Sequence, residues 1–176
     1  MPKIAYGITM SEHTVILVRH AQAERYDTAG DLRRQLTARG QQQAEALGHA
    51  LAPYLVDVGA VFVSPAQRAV DTWNIAAGAA TRAGATLPDP LSRPVIYSGD
   101  AEDITELVRF EGHGCVTVIV GHLPAIAETG VLLAQRGAAA PNRMGTGSAV
   151  ILRADCDWPQ WHAHVADSAQ VVSAVK

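Results

Sequence analysis

The stretch T-V-I-L-V-R-H-A from Thr14 to Ala21 constrains the fold more than any other part of the sequence. Residues 15–18 form an unbroken apolar, largely β-branched run, the pattern of a strand buried on both faces of a parallel sheet. The run stops abruptly at Arg19-His20, which predicts a guanidinium and an imidazole at a strand's carboxyl end. Open α/β sheets carry their ligand crevice outside those ends. A candidate nucleophile therefore stands beside a candidate anchor for a phosphate or carboxylate.

The same grammar recurs twice. Residues 60–63 make a second short apolar strand that breaks at Ser64-Pro65, read as the N-cap and first position of a helix running to about Ala83, with Arg68 one turn in. Residues 116–120 make a third, ending at Gly121-His122-Leu123-Pro124 before a helix through Leu133. Between these, Thr37 caps a crossover helix whose apolar stripe is Ala44, Leu47, Ala50 and Leu51, ended by Pro53. A proline-rich connection leads to a brief strand expected at 95–97, and Ser98-Gly99-Asp100 opens a helix over about 101–110. A last strand at 149–153 is expected to turn into an antiparallel edge strand near 161–165, with Trp158 and Trp161 bracing the hairpin. Trp73 reads as core. Alternation of strands and helices predicts an α/β, three-layer α/β/α domain with a mostly parallel sheet and an antiparallel edge hairpin.

At 176 residues the chain fits a single domain over 1–176, with residues 1–13 read as a loosely ordered leader. A net charge of -3 gives no general attraction for nucleic acid or anionic membrane, so anion binding has to be local. The apolar runs are far shorter than a bilayer span. Cys115 and Cys156 show no paired or CxxC pattern, which fits a reducing compartment, and a cytoplasmic location is the expectation. His13, His49 and His113 read as surface residues. His162-x-His164 would face one side of a strand, but without a third ligand nearby it reads as edge-strand surface rather than a metal site.

If the three strands are neighbours, Arg19, His20, Arg68 and His122 converge. Two guanidiniums hold phosphoryl oxygens by paired hydrogen bonds, one imidazole attacks phosphorus, and the second donates to the charge that develops in the transition state. The sequence has neither a Walker-type glycine loop with its lysine nor a cysteine followed six positions later by arginine. Arg19 and Arg68 have a structural alternative, ion pairs with Asp31 or Asp71.

These residues resemble the histidine phosphatase superfamily, also called phosphoglycerate mutase-like. L-V-R-H-A at Leu17 to Ala21 is similar to its Arg-His-Gly signature, with Ala21 in place of glycine. S-P-A-Q-R-A-V-D-T at Ser64 to Thr72 is similar to its Ser-Pro-x-x-Arg-Ala-x-x-Thr element, and V-G-H-L-P at Val120 to Pro124 to its second-histidine motif. D-L-R-R-Q-L-T-A-R-G at Asp31 to Gly40 and M-G-T-G-S at Met144 to Ser148 resemble stretches of the compact SixA-type branch, with Gln35 where that branch has proline. The resemblance implies that His20 becomes phosphohistidine, that Arg19 and Arg68 clamp phosphate and that His122 completes the pocket, without a cofactor or metal. It implies a phosphorylated protein or a small phosphorylated molecule as substrate, phosphohistidine first among them.

Other residues are candidates with a second reading attached. Arg34 reaches over the site or faces solvent, and Gln22 touches substrate or is an ordinary loop residue. Ser64 binds substrate or caps its helix. Asp100 and Glu102, with Asp103, supply a general acid or serve the start of a helix. The segment between Arg68 and His122 is too short to hold a cap subdomain, so the site is expected to be open. Three alternatives remain: a small-molecule phosphomonoesterase of the same fold, a mutase, which is disfavoured because nothing encloses a bisphosphate intermediate, and a phosphate-binding regulatory protein without turnover.

Overall fold

The computed structural model describes residues 12–134, 144–161 and the backbone of 168–173. Its elements run β1 (His13–Arg19), α1 (Ala38–Leu51), β2 (Val58–Val63), α2 (Gln67–Arg82), β3 (Leu91–Ser92), α3 (Val95–Ser98), α4 (Ala101–Glu111), β4 (Val116–Gly121), α5 (Ala125–Leu133), β5 (Ser148–Ala154) and β6 (Ser168–Ser173). The strands form one six-stranded sheet in the order β3-β2-β4-β1-β5-β6. The first four are parallel, and β5 runs antiparallel to both β1 and β6.

Alternation along each strand divides the core into two layers. Val15, Leu17, Phe62, Ile119, Val150 and Leu152 face one cluster, closed by Ile104, Leu107 and Val108 of α4 and Ile126 and Leu133 of α5. Ile16, Val18, Val61, Val63, Val118, Val120 and Ile151 face the other, closed by Leu47 and Leu51 of α1 and by Ala69 and Trp73 of α2. Each such side chain contributes about 1.5–3 kcal/mol when fully buried, so strands buried on both faces are the natural use of unbroken apolar runs. Trp73 is 2% exposed and belongs to the core.

Thr37 caps α1 as its spacing predicts, accepting the Gly40 amide at 3.0 Å. Gly40 is obligatory for a packing reason: a Cβ there would lie 1.9 Å from the carbonyl oxygen of Gln22. The first turn of α1 thus presses directly on the loop that follows His20.

Several expectations are corrected. Residues 95–97 are the one-turn helix α3, and the strand in that region is the two-residue β3, whose Leu91 and Ser92 are exposed at the sheet's edge. A run of β-branched residues after proline does not make a strand where the sheet edge is already taken by the residues before it. His13 is the first residue of β1 rather than leader, its Nδ1 2.7 Å from the Cys156 carbonyl oxygen and its ring 4.7 Å from that of Trp158. The second strand of the hairpin is Ser168–Ser173, not 161–165; Trp161 lies in the preceding turn, and 162–165 fall outside the described residues, as does most of the leader. Trp158 and Trp161 stack on each other within the core beside α4, with Trp158 Nε1 donating to the Gly114 carbonyl at 3.0 Å. Cys115 and Cys156 form no disulfide among the described residues. Among the described residues no helix is long and apolar enough to cross a membrane.

Candidate active site

Strand order puts the three motifs side by side. β2, β4 and β1 are consecutive in the sheet, and their carboxyl ends are level: Arg19 is in register with Gly121, the His20 amide donates to the Gly121 carbonyl at 3.0 Å, and the Ser64 amide donates to the Val120 carbonyl at 3.0 Å. His20, Ser64 and His122 therefore emerge at one height. The imidazoles of His20 and His122 lie 5.0 Å apart, centroid to centroid.

Each guanidinium is tethered by one part and spare at another. Arg19 donates Nη1 to the Met144 carbonyl at 2.6 Å, and its Nε is buried without a partner among the described residues. Arg68, 4% exposed, donates Nη1 to the Asp31 carbonyl at 2.8 Å and Nη2 to the Asp31 carboxylate at 3.1 Å, while its Nε is likewise buried and unpartnered. Buried donors left unsatisfied cost about 1–3 kcal/mol each, so two such charged donors beside a histidine pair make this the candidate anion site. Burial pushes the Arg19 guanidinium below its ordinary value, yet an arginine keeps its charge in a protein.

His20 Nδ1 lies 2.7 Å from the Ala21 carbonyl oxygen. A carbonyl only accepts, so Nδ1 carries the proton and Nε2 keeps its lone pair. Burial, and then the charges of Arg68, Arg19 and Arg34, lower the His20 pKa to about 4 against the lift from that hydrogen bond. Burial, His20 and Arg68 lower His122 to about 3 against the opposing charge of Asp31. Both rings are neutral near pH 7. His122 Nε2 is 2.7 Å from the Ser64 hydroxyl, and its Nδ1 is buried without a partner among the described residues.

The remaining candidates divide. Arg34 is drawn to the site, donating Nε to Asp31 Oδ1 at 2.8 Å and Nη1 to the Glu24 carbonyl at 3.0 Å. Ser64 does not cap α2, whose N-cap is Ala66; its hydroxyl accepts the Ala66 amide at 3.3 Å and meets His122 instead. The helix starts two residues late because the Ser64-Pro65 turn is used to reach the second imidazole. Gln22 ties the loop to α1, its amide donating to Gln43 Oε1 at 2.9 Å and its own Oε1 accepting from Thr37 at 3.0 Å. Asp100 and Asp103 form a reciprocal capping box on α4, and Glu102 is an exposed first-turn residue. Asp71 pairs with Gln67 rather than with an arginine.

Sequence singles out neither Thr72 nor Tyr97, and predicts Asp31 only as an ion-pair partner, which its pair with Arg68 at 3.1 Å bears out. Thr72 stands one turn after Arg68, donates to the Arg68 carbonyl at 2.6 Å and accepts the Ala21 amide at 2.9 Å, joining Arg68 to the loop after His20. Its place as the last residue of the Ser64 motif was the available signal. Asp31 gathers Arg68, Arg34 and Tyr97 around one carboxylate. Tyr97 sits edge-on to His122 with ring centroids 5.6 Å apart. It arrives there because Gly121 lacks a Cβ, which would lie 2.7 Å from Ile96 Cγ2 and push α3 off the strand end.

Comparison with known proteins agrees with this fold. The family model of the histidine phosphatase superfamily (branch 1) matches residues 15–89. No curated protein sequence matches the chain. Among solved structures, SixA of Nakamurella multipartitia, assigned as a phosphohistidine phosphatase, is 27% identical with a TM-score of 0.78, covering 94% of this chain and 98% of that one. A protein histidine phosphatase SixA complexed with tungstate is 21% identical with a TM-score of 0.72, covering 92% and 97%. A mycobacterial glucosyl-3-phosphoglycerate phosphatase shares the fold at 17% identity and a TM-score of 0.54, covering 92% and 98%. Over residues 15–89 the chain is similar to the histidine phosphatase superfamily, and it shares the fold of the compact SixA structures.

Proposed function

We propose that this chain is a phosphatase that works through a phosphohistidine intermediate on His20 and that its substrate is phosphohistidine on a protein. The observation that carries the reading is the pair of buried, unpartnered guanidinium nitrogens, Arg19 Nε and Arg68 Nε, beside an imidazole fixed with Nε2 unprotonated. In the first step His20 Nε2 attacks phosphorus and the bond to the leaving group breaks, with Arg19 and Arg68 holding the phosphoryl oxygens. In the second, water attacks phosphorus, the bond to His20 breaks, and inorganic phosphate departs.

Leaving-group chemistry supports the substrate class. A phosphate ester needs its alkoxide protonated, whereas the imidazole of phosphohistidine can leave already protonated. Asp31 is the carboxylate beside Arg68, and the Tyr97 hydrogen bond and the Arg68 charge outweigh desolvation and hold it below its ordinary pKa, which makes it a poor proton donor. Asp100 is committed to its capping box. The rim is also open: Tyr97 is 38% and Leu123 39% exposed, which suits a side chain presented on a protein. The SixA relative at 27% identity is assigned the same activity.

The test is a substrate panel, a phosphohistidine protein against phosphate monoesters, run on wild type and His20→Ala. Preference for phosphohistidine, a phosphorylated His20 trapped at short times, and loss of turnover in the variant are expected. Unchanged turnover by His20→Ala would sink the mechanism, and preference for small esters would replace the substrate.

A further inference from the structure

We propose that Asp31 is a positioning residue of this pocket: it aligns Arg68 and Tyr97 and sets the pocket's charge to match one phosphoryl group, so that the product anion is released. This rests on the phosphatase reading above and deepens it.

The contacts around Asp31 are built from three separate parts of the fold. Its carboxylate accepts Arg34 Nε at 2.8 Å on Oδ1, and Arg68 Nη2 at 3.1 Å and the Tyr97 hydroxyl at 2.8 Å on Oδ2; its carbonyl accepts Arg68 Nη1 at 2.8 Å. These donors come from the loop after β1, from α2 and from α3. The Asp31 side chain is 49% exposed. Arg68, with its side chain 5% exposed, needs a counter-charge for structural reasons, but the Arg34 pair is more exposed and contributes little to stability, so folding alone does not account for all the donors on this carboxylate.

What the arrangement does is local. By accepting one N–H from each terminal nitrogen of Arg68, Asp31 fixes the guanidinium plane and leaves the other three N–H groups, the buried Nε–H among them, for an anion. By taking the Tyr97 hydroxyl, it holds that ring against His122. It also sets the charge. His20 and His122 are neutral, so the site holds three guanidiniums, of Arg19, Arg34 and Arg68, and one carboxylate. The balance is two positive charges, against about two negative charges on a phosphoryl group near pH 7. Without Asp31 the pocket would be overcharged, and inorganic phosphate would be held longer.

The experiment measures inorganic phosphate affinity by calorimetric titration, alongside kcat and KM for p-nitrophenyl phosphate and the melting temperature. Asp31→Asn keeps an acceptor oxygen and removes the charge; phosphate is expected to bind about tenfold tighter while kcat falls severalfold and KM falls with it. Tyr97→Phe keeps the ring and the charge; its kcat is expected to fall severalfold with phosphate affinity within about twofold of wild type. Asp31→Glu keeps the charge and is expected to leave phosphate affinity within about twofold. A purely structural role lowers the melting temperature without tightening phosphate. Phosphate binding by Asp31→Asn that equals or falls below wild type, at a melting temperature within about 2 °C, overturns the proposal; should that variant not fold, tighter phosphate binding by Asp31→Glu overturns it. The titration needs no turnover, so a wild-type protein that binds phosphate without hydrolysing any ester or phosphohistidine refutes the phosphatase reading alone.

Discussion

His20 is locked to its neighbour: its Nδ1–H donates to the Ala21 carbonyl across 2.7 Å. The bond selects the tautomer that leaves Nε2 free, and burial keeps the ring neutral by lowering its pKa from 6.5 to about 4. The expected outcome in a histidine-selective NMR titration is that His20 stays neutral through pH 5. Stability follows with a defined sign. Between about pH 6.5 and 4 the unfolded chain takes up a proton on His20 that the folded chain refuses, so unfolding becomes easier as pH falls through that window and is unaffected by His20 above it. The loss is on the order of 3 kcal/mol for this residue. Denaturant unfolding at pH 7 and pH 4.5 checks it; equal midpoints would contradict a buried neutral ring.

Arg19 cannot be exchanged for another cation. Its Nη1 holds the Met144 carbonyl at 2.6 Å while Nε stays available in the pocket, a division of labour that needs a planar fork. Arg19→Lys retains the charge but has one nitrogen for two tasks. For the proposed reaction kcat/KM is expected to fall roughly 10²–10³-fold, the size of losing one well-placed transition-state donor. Steady-state kinetics of the folded variant is the measurement, and a loss under about tenfold would mean that charge alone suffices.

Thr72 links Arg68 to the loop after His20 through one buried hydroxyl. Replacing it with the isosteric valine strands the Ala21 amide and removes a bond to the Arg68 carbonyl. Thr72→Val is expected to lose about 1–3 kcal/mol of stability, several degrees of melting temperature, with lower turnover as well. Thr72→Ser, which keeps the hydroxyl, should restore most of both. Calorimetric melting of the pair separates the hydroxyl's role from that of the side chain's bulk.

Much of this site is legible in sequence, and for a physical reason. Strands buried on both faces must be continuous apolar runs, so Arg19-His20, Ser64 and Gly121-His122 stand out where the runs break. Neighbouring strands then bring Arg19, His20, Arg68 and His122 together. What stays hidden depends on loops. Asp31 and Tyr97 are 66 residues apart in the chain and meet because α3 packs on Gly121, a contact with no periodic signature. Val95 to Tyr97 carries strand propensity yet coils into a turn of helix, because packing of Ile96 at the end of β4 outweighs the intrinsic preference. Ser64 followed by proline looks like a helix start, but its hydroxyl is taken by His122.

Ala21 stands beside His20, where the signature this stretch resembles has glycine. The residue is fully buried, and its methyl group belongs to a small cluster with Leu36 and Ala44, the latter on α1. The methyl group therefore fills core. Ala21→Gly is expected to lose about 1 kcal/mol, from one buried methyl and a looser backbone, with kcat within about twofold of wild type. Ala21→Val pushes two further methyls into the same cluster and is expected to cost about 1–3 kcal/mol. If the added methyl instead narrowed the pocket, the glycine variant would turn over faster than wild type. Melting curves and turnover of both variants decide between the two, and a severalfold gain in kcat for Ala21→Gly would move the methyl group from the core to the site.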